Sequence, residues 1–510
     1  MFARLMSAVV VGIEAVLVEV QCDVTGGLPT FQVVGLPEKE VTESRERIRS
    51  AIKNSGYAFP SKRITANLAP ADLRKEGVGF DLPTALSILI ASEQISPSTD
   101  YLVVGELALD GEVRSVRGVL PIALAAVDAK LDRVIVPNAN AAEAALADEI
   151  AVYPVQTLAE AAALLAGSLS IPRFQIDRNA LLDQVTTDPS FDISQVKGQE
   201  QAKRALEVAA AGGHNVLMTG PPGAGKSLLA RCLPGILPPL SFAEALEVTR
   251  VYSIVGLADD NVPLITKRPF RTPHHTISYA GMVGGGHGLP GPGEITLAHH
   301  GVLFLDELPE FDRRVLESLR QPLEDRSILL SRAGVSVRYP ANITLVGAMN
   351  PCPCGHLGDH RRHCTCNPHE IRRYRKRLSG PFLDRIDLYI EVPRLAPEEL
   401  LARPRGEGAA SIQTRVKKAR QIQYERLKDK PGRFSNAQLD PKETTEYCVL
   451  KEDAKELLGM AIDRFALSAR AYARVLKVAR TIADLEGTSL IDAEHLAEAI
   501  QYRSIDEDLA

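Results

Sequence analysis

The stretch Gly220–Ser227, with the sequence GPPGAGKS, restricts what this chain can fold into more than any other part of it. It matches the pattern G-x-x-x-x-G-K-[ST], with the apolar run NVLMT before it and the helix-forming run SLLARCL after it. This order predicts backbone amides that surround phosphate oxygens at the positive end of a helix. Lys226 is expected to reach the β- and γ-phosphates, and the Ser227 hydroxyl to bind Mg²⁺. The alternative is a glycine-rich turn that binds nothing. The predicted nucleotide-binding residues are Gly220, Pro221, Pro222, Gly223, Ala224, Gly225, Lys226 and Ser227.

Two further apolar runs end in polar residues suited to ATP hydrolysis. GVLFL is followed by Asp306 and Glu307, and NITLVGAM is followed by Asn350. Asp306 is expected to hold Mg²⁺ together with Ser227, and Glu307 to polarise the attacking water. The neutral amide of Asn350 can orient that water without adding charge. The alternative for the acidic pair is a strand end that faces solvent.

These elements resemble the Walker A, Walker B and sensor-1 elements of an AAA+ ATPase. Within that resemblance, GPFLDRIDL is similar to the segment that carries the arginine finger in the magnesium-chelatase and MCM branches, which implies Arg385. LSARAYARVLKVAR is similar to the sensor-2 helix of the lid, which implies Arg470, with Arg474 as the second choice. An arginine finger acts on the site of a neighbouring subunit, so it implies a ring. The alternative is that these are ordinary surface arginines.

The phrases RTPHHTISYAGMVGGG, PGEITLAHHGVLFLDELPEF and NPCPCG narrow the resemblance to the ComM/YifB family of magnesium-chelatase-like ATPases. For this family the implied activity is that of a hexameric, ATP-driven and Mg²⁺-dependent DNA motor. It implies branch migration of joint DNA molecules during natural transformation, with single-stranded or branched DNA and recombination proteins as partners.

The domain organisation follows from where strand and helix patterns alternate. At 510 residues the chain is expected to form several domains, and its content of 45% apolar and 24% charged residues is ordinary for a globular protein. We predict an α/β fold with three parts: an amino-terminal α/β domain (1–167), an ATPase core with a parallel sheet (197–397) and a helical lid (398–510). A linker is expected at 168–196.

The chain is expected to be cytoplasmic and independent of membranes. The apolar start SAVVVGIEAVLVEV is interrupted by Glu14 and Glu19 and alternates as strands do, so it predicts a strand pair rather than a signal peptide. No run reaches the roughly eighteen apolar residues of a membrane span. A cytoplasmic location keeps thiols reduced.

The amino-terminal region resembles the proteolytic domain of Lon-type proteases, a ribosomal-S5-like fold, in ITANLAPADLRKEGVGFDLPTALSILIA and the segment after it. The position of the nucleophilic serine falls on Gly79 and that of the lysine on Ile122, so neither partner of a Ser–Lys dyad is present. We therefore predict a non-catalytic domain. It either assembles the ring or contacts DNA or a partner, or it is a structural cap.

Four of the seven cysteines lie within NPCPCGHLGDHRRHCTC, in the pattern C-x-C-x9-C-x-C. Cys352, Cys354, Cys364 and Cys366 are candidates for a tetrahedral zinc site, and a reduced, metal-free loop is the alternative. The candidate replacement ligands are His356, His360 and His363. We expect this loop, the insertion 352–366, to influence DNA engagement rather than ATP hydrolysis.

DNA binding must come from local features, because the net charge is −5. The basic residues around the cysteines are Arg361, Arg362, Arg372, Arg373, Arg375, Lys376 and Arg377. SILLSRAGVSVRYP predicts a hairpin with Arg332 near its tip, and Gly284–Gly293 is a second candidate loop. A solvated basic face, a surface hairpin and a flexible linker are the alternatives.

Two rival functions remain open at this point. One is a motor for metal insertion into a tetrapyrrole, although the predicted amino-terminal domain is additional to such a motor. The other is an ATP-dependent protease, which Gly79 and Ile122 disfavour. The histidines in PHHT and AHHG are not spaced as metal ligands, and we expect them to be structural or near the channel.

Overall fold

A computed structural model provides the structure of the chain. It describes residues 1–37, 39–75, 77–183, 191–258, 262–286, 289–332, 335–359, 361–401, 406–430, 433–465 and 467–503. Several predicted features lie partly outside these residues: the hairpin tip at Ala333 and Gly334, His360, and parts of the Gly284–Gly293 loop and of the 168–196 linker.

The amino-terminal region is a seven-stranded sheet with helices on both faces, in the strand order β3-β4-β2-β1-β5-β8-β9. The seven strands of this sheet are β1 (Phe2–Val11), β2 (Glu14–Thr25), β3 (Thr30–Val34), β4 (Arg63–Ala69), β5 (Leu102–Val103), β8 (Arg133–Pro137) and β9 (Ala151–Val155), whereas β6 (Glu106–Leu107) and β7 (Val113–Arg114) pair separately. Its helices are α1 (Lys39–Asn54), α2 (Asp81–Ala91), α3 (Val119–Asp128), α4 (Ala141–Ala144) and α5 (Leu158–Leu165). Along β8, Ile135 packs with α1 and α2, whereas Val134 and Val136 pack with α3 and α4. Both faces of the strand are therefore covered, which explains its continuous apolar run.

The predicted strand pair at the start of the chain is confirmed. β1 and β2 are antiparallel, from Phe2 opposite Asp23 to Val11 opposite Glu14. Val18, Val20 and Cys22 are completely buried, as the period of two requires for one face of a strand.

The middle of the chain contains a five-stranded sheet with the order β11-β14-β17-β10-β18, and all of its pairings are parallel. The five strands of this sheet are β10 (Val216–Thr219), β11 (Phe270–Arg271), β14 (Val302–Leu305), β17 (Thr344–Met349) and β18 (Leu388–Glu391). Two separate pairs are formed by β12 (Gly284–Gly285) with β13 (Gly291–Pro292) and by β15 (Ser327–Arg332) with β16 (Val335–Pro340). The helices are α7 (Glu200–Gly212), α8 (Lys226–Ile236), α9 (Phe242–Ile254), α10 (Tyr279–Val283), α11 (Glu294–Leu297), α12 (Arg313–Ser318), α13 (Arg320–Asp325), α14 (Pro368–Arg375) and α15 (Gly380–Leu383). Met218 and Leu217 belong to different apolar clusters on opposite faces, so the predicted parallel-sheet core is confirmed.

Among the described residues, no strand longer than an isolated bridge follows Glu391, which confirms the predicted helical end of the chain. The helices are α16 (Pro397–Leu401), α17 (Ala409–Leu427), α18 (Pro441–Tyr447), α19 (Glu452–Phe465), α20 (Ala469–Glu486) and α21 (Ala493–Gln501). Val416 on α17 and Leu476 on α20 pack in one apolar cluster with α7 and α8. The carboxy-terminal helices therefore share an apolar core with β10 and α8.

The segment expected to be a linker contributes to the packing between regions. Its described part contains α6 (Arg178–Asp183), and Leu181 and Leu182 pack against a separate apolar cluster. That cluster joins Leu120 of the amino-terminal region to Val248 of the core.

The turn between β1 and β2 also contacts the core. Gly12 lies so close to Val337 of β16 that a Cβ at Gly12 would overlap its side chain. Arg250 Nη2 donates to the carbonyl oxygen of Ile13 at 3.0 Å. The predicted hairpin is present as β15 and β16, which pair antiparallel with Arg332 opposite Val335. The amino-terminal region therefore rests on one strand of this hairpin.

Candidate functional site

The phosphate-loop motif lies between β10 and α8, in the strand–loop–helix context that the sequence predicts. β10 ends at Thr219 and α8 begins at Lys226. Gly225 precedes the helix with φ 96°, a conformation that a residue with a Cβ adopts only with strain. The free amides of the helix start consequently face the loop, where an anion would be stabilised.

Lys226 connects the loop to the end of the neighbouring strand. Its Nζ donates to the carbonyl oxygens of Gly220 at 2.6 Å and Pro221 at 3.0 Å, and to Asn350 Oδ1 at 3.2 Å. Burial lowers the pKa of Lys226 to about 8, against an opposing effect of Asp306. These oxygen atoms occupy the three donors of the ammonium group, so bound phosphates would replace some of these contacts and favour the charged form.

Ser227 and Asp306 form the second contact across the site. Ser227 Oγ donates to Asp306 Oδ2 at 2.7 Å, and Asp306 Oδ1 accepts from the amide of Glu307 at 2.9 Å. A hydroxyl and a carboxylate side by side beneath a phosphate loop are the oxygen donors that Mg²⁺ uses with bound phosphates. The residues present therefore fit the predicted ion, which they would hold directly or through water.

Glu307 has an exposed carboxylate and a left-handed backbone with φ 50°. Its Oε2 lies 3.4 Å from Nδ1 of His275, a residue of the PHHT run. This neighbour could not be predicted from the sequence, because nothing in the local pattern relates a histidine before α10 to the end of β14. His275 is the closest described ionic partner of the carboxylate that is predicted to polarise water.

Arg385 and Arg470 do not lie beside the phosphate loop of their own chain. Both line a cavity of about 480 Å³ near Asn215, the residue before β10, and Asn215 Nδ2 donates to the carbonyl oxygen of Arg385 at 2.9 Å. The phosphate loop follows the opposite end of β10. Arg385 is buried with its Nη2 2.6 Å from Glu324 Oε1, whereas Arg470 is exposed and lies 3.4 Å from Asp384.

Asp387 connects this end of the sheet to helix α20. Its Oδ1 accepts from Arg474 Nη1 at 2.7 Å, and its Oδ2 accepts from the amide of Asn215 at 2.9 Å. Burial opposes ionisation of Asp387, but Arg474 and His214 outweigh burial and hold its pKa well below the usual range. Arg474, the second choice for sensor 2, is thus already engaged in an ion pair with the buried Asp387.

The four cysteines of the cluster come together, with all Sγ atoms within 4.8 Å of one another. Of the alternative ligands, His356 Nδ1 lies instead 3.4 Å from Asp359 Oδ2, and His363 is exposed. His360 lies outside the described residues. The arrangement favours four thiolates over a mixed set of ligands.

A second group of metal-binding residue types has a structural explanation. Glu247 Oε2 lies 2.9 Å from His299 Nε2 and 2.8 Å from His300 Nε2. His299 Nδ1 accepts from the amide of Asn342 at 3.0 Å, so the proton of this ring is on Nε2, which donates to Glu247. Burial lowers the pKa of His299 to about 4, which keeps the ring neutral. Both histidines are buried and contact Glu247, an arrangement that favours the structural alternative for the AHHG histidines.

Gly79 and Ile122 both line a cavity of about 1030 Å³ between the amino-terminal region and the core. Among the described residues that line this cavity there is no lysine or cysteine. Its Ser253 donates to Glu143, a carboxylate that also accepts from the amide of Leu120 at 2.8 Å. Nothing in the described lining therefore supplies the amine that a Ser–Lys dyad needs.

Family models for magnesium chelatase match three parts of the chain. The model described as magnesium chelatase, subunit ChlI, matches residues 192–400, and the model of its carboxy-terminal part matches residues 406–503. A further model, described as subunit ChlI of Mg-chelatase, matches residues 20–140. The matches therefore include Gly220–Ser227, the carboxy-terminal helices from α17 to α21 and most of the amino-terminal sheet.

Two full-length relatives decide the family. The competence protein ComM of Haemophilus influenzae is 47% identical over 500 residues, which cover 97% of this chain and 96% of ComM. The protein YifB of Salmonella typhimurium is 47% identical over 500 residues with the same coverage. The chain belongs to the ComM/YifB family.

Members of the ComM/YifB family are related more distantly to magnesium-chelatase subunits. The 38 kDa subunit of Rhodobacter capsulatus is 25% identical over 341 residues, which cover 61% of this chain and 85% of the subunit. None of the described helices of this family member combines the length and the apolar character that crossing a bilayer requires.

Proposed function

We propose that this ComM/YifB-family protein hydrolyses ATP and uses the energy to move DNA. The observation that carries the proposal is the meeting of Lys226, Ser227, Asp306 and Asn350 at the carboxyl end of one parallel sheet. Lys226 would bind the β- and γ-phosphates, and Ser227 and Asp306 would hold Mg²⁺, which neutralises charge on the phosphates. Glu307, exposed next to this group, would polarise the water that attacks the γ-phosphate.

We further propose that the active form is a hexameric ring. Arg385 lies at the end of β10 that faces away from the phosphate loop, so it cannot complete the site of its own chain. A neighbour whose phosphate loop faced this cavity would receive Arg385, and Arg470 would lie beside it. Two guanidinium groups would then approach the γ-phosphate only where two subunits meet.

We propose DNA as the substrate. The two candidate channel elements, the β15–β16 hairpin and the Gly284–Gly293 loop, contact each other and could bind DNA together. Arg332 near the end of β15 donates to the carbonyl oxygen of Gly286, and Tyr339 Oη donates to the carbonyl oxygen of Pro290 at 2.5 Å. A second basic surface lies at the end of α14, where Arg372 and Arg373 of the helix and Lys376 directly after it line a cleft of about 730 Å³. Guanidinium and ammonium groups on such surfaces bind the phosphate backbone. A role in competence is carried over from the name of ComM, whereas branch migration during natural transformation is what the resemblance to this family implies.

The decisive experiment measures ATP hydrolysis by the purified full-length chain without DNA and with linear, forked and four-way DNA. We expect DNA to stimulate ATP hydrolysis by the wild type, most strongly with branched substrates. Lys226→Ala should hydrolyse no ATP with or without DNA. Arg332→Ala is expected to raise the DNA concentration for half-maximal stimulation several-fold, since a phosphate contact is lost. Hydrolysis that no DNA substrate alters would contradict the DNA motor.

A second candidate is a motor that remodels a metal-inserting partner, since the family models and the Rhodobacter relative both carry the name of magnesium chelatase. On that alternative, hydrolysis would be indifferent to DNA, and the basic cleft on α14 would bind an acidic protein surface instead. The same assay therefore separates the two functions.

A further inference from the structure

The four clustered cysteines have the spacing of thiolates around a single metal ion. Cys352 Sγ lies 3.4 Å from Cys354 Sγ and 3.7 Å from Cys364 Sγ, and the latter two are 3.6 Å apart. Sulfur atoms about 2.3 Å from a tetrahedral zinc ion lie about 3.8 Å from one another. A disulfide would bring two of them to about 2.05 Å, and an iron–sulfur cluster would place them on different iron atoms and further apart. The amide of Cys354 donates to Cys366 Sγ at 3.4 Å, as amides do around thiolate ligands.

The cluster joins the two ends of the insertion. Cys352 and Cys354 follow β17 and Asn350, whereas Cys364 and Cys366 immediately precede Asn367, which caps the start of α14. Between them the loop has one large apolar side chain, Leu357, so apolar burial alone gives it little stability. An ion shared by the four sulfurs would fix the loop in place.

The loop closed by the cysteines rests on the phosphate loop. A Cβ at Gly355 would lie 2.6 Å from Pro222 Cδ, 2.8 Å from Pro222 Cγ and 3.8 Å from Asn350 Cγ. Gly355 therefore touches both the residue inside the GPPGAGKS motif and the amide that binds Lys226. Arg394 holds the middle of the loop from the other side, with Nη2 3.1 Å from Asp359 Oδ2.

We propose that Cys352, Cys354, Cys364 and Cys366 bind one zinc ion, and that this ion holds Gly355 against Pro222 and so supports the nucleotide site. The second half of this inference rests on the proposed function as an ATPase. It replaces the expectation from the sequence that the loop affects DNA engagement and leaves hydrolysis unchanged. Soft thiolates select zinc over the Mg²⁺ of the nucleotide site, so the two ions do not compete.

The metal is tested by elemental analysis of the full chain, purified without chelators. We expect about one zinc per chain. The double variant Cys364→Ser/Cys366→Ser should lose it, because two thiolates hold zinc poorly. Cys448→Ala, at a buried free cysteine of the lid, is the control and should keep it. Wild-type protein without zinc overturns the proposal.

The support of the nucleotide site is tested by two glycine variants that leave every cysteine in place. Gly355 and Gly358 have similar φ values of 80° and 76°, so alanine strains both backbones alike. Only the new methyl group at 355 would meet Pro222, since a Cβ at 358 would have no atom of the described residues within 4 Å. Gly355→Ala should keep its zinc and bind a fluorescent ATP analogue about tenfold more weakly, a loss of about 1.4 kcal/mol. Gly358→Ala should stay within about twofold of the wild type.

Zinc content and nucleotide affinity are measured without ATP hydrolysis and without DNA. The outcome of this test is therefore independent of whether DNA stimulates hydrolysis. Equal affinities for the two glycine variants overturn the contact with Pro222. A folded, zinc-free Cys364→Ser/Cys366→Ser chain with wild-type nucleotide affinity overturns the supporting role. Circular dichroism of each variant establishes that it is folded.

Discussion

Mixing two inactive variants tests whether Arg385 completes the site of a neighbouring subunit. Arg385→Ala chains keep Lys226, and Lys226→Ala chains keep Arg385. β10 spans four residues, about 13 Å of extended chain, between the Arg385 cavity and the phosphate loop, which exceeds the reach of an arginine side chain. Each chain can therefore supply what the other lacks only across an interface.

The expected recovery of ATP hydrolysis follows from the fact that each site takes Lys226 from one chain and Arg385 from its neighbour. In rings assembled at random from equal amounts, about half of the sites have an intact Lys226, and about half of these have an intact neighbouring Arg385. About one quarter of the sites should then be complete, and ATP hydrolysis should recover to about a quarter of the wild-type rate if the sites act independently. If Arg385 acted on its own chain, no site would be complete.

The assay is steady-state phosphate release, with the mixing of subunits verified by co-purification of differently tagged chains. The control mixture combines Lys226→Ala with Glu307→Gln, because both residues belong to the site of one chain. That mixture should show no recovery. If mixed rings of Arg385→Ala and Lys226→Ala chains hydrolyse ATP no faster than this control, Arg385 does not complete the site of a neighbouring subunit.

Three further outcomes are expected. Glu307→Gln should bind ATP as the wild type does but hydrolyse it at least about 100-fold more slowly in single-turnover assays, since only water activation is lost. Because the pKa of Lys226 is lowered to about 8 and phosphates favour its charged form, nucleotide affinity measured by calorimetry should be constant below about pH 7. It should fall about tenfold per pH unit above pH 8, and Lys226→Arg should remove this slope. Asp387→Ala should lower the free energy of urea unfolding by about 3–5 kcal/mol, because the partly buried Arg474 loses its partner and the amide of Asn215 loses its acceptor. Asp384→Ala, at an exposed pair, should cost less than about 1 kcal/mol.

The parts of the site that the sequence predicted are those in which chemistry requires particular residues at fixed spacing. A phosphate loop needs glycines, a lysine and a hydroxyl within eight residues, so Gly220–Ser227 can be recognised from the sequence alone. Asp306 and Asn350 could be found because each follows a buried apolar run that ends at the same edge of the sheet.

The parts that the sequence missed depend on contacts between distant segments. Local periodicity cannot show that Gly355 reaches Pro222, that His275 reaches Glu307, or that Arg385 and Arg470 share one cavity. The helix Arg178–Asp183 was missed because six residues among prolines and aspartates are too few for a helical period to stand out.

The close approach of Gly12 to Val337 determines which other parts of the chain would move when the β15–β16 hairpin moves along DNA. A hairpin that swings to push DNA carries whatever is packed against its strands, and here that is the turn between β1 and β2. Ile13, next in this turn, packs into the apolar cluster of the core that contains Val337 and accepts from Arg250 of α9. If the chain is a DNA motor as proposed, the amino-terminal sheet would therefore move together with the hairpin. Any part of the ring that stays fixed around the DNA would have to be formed by other residues.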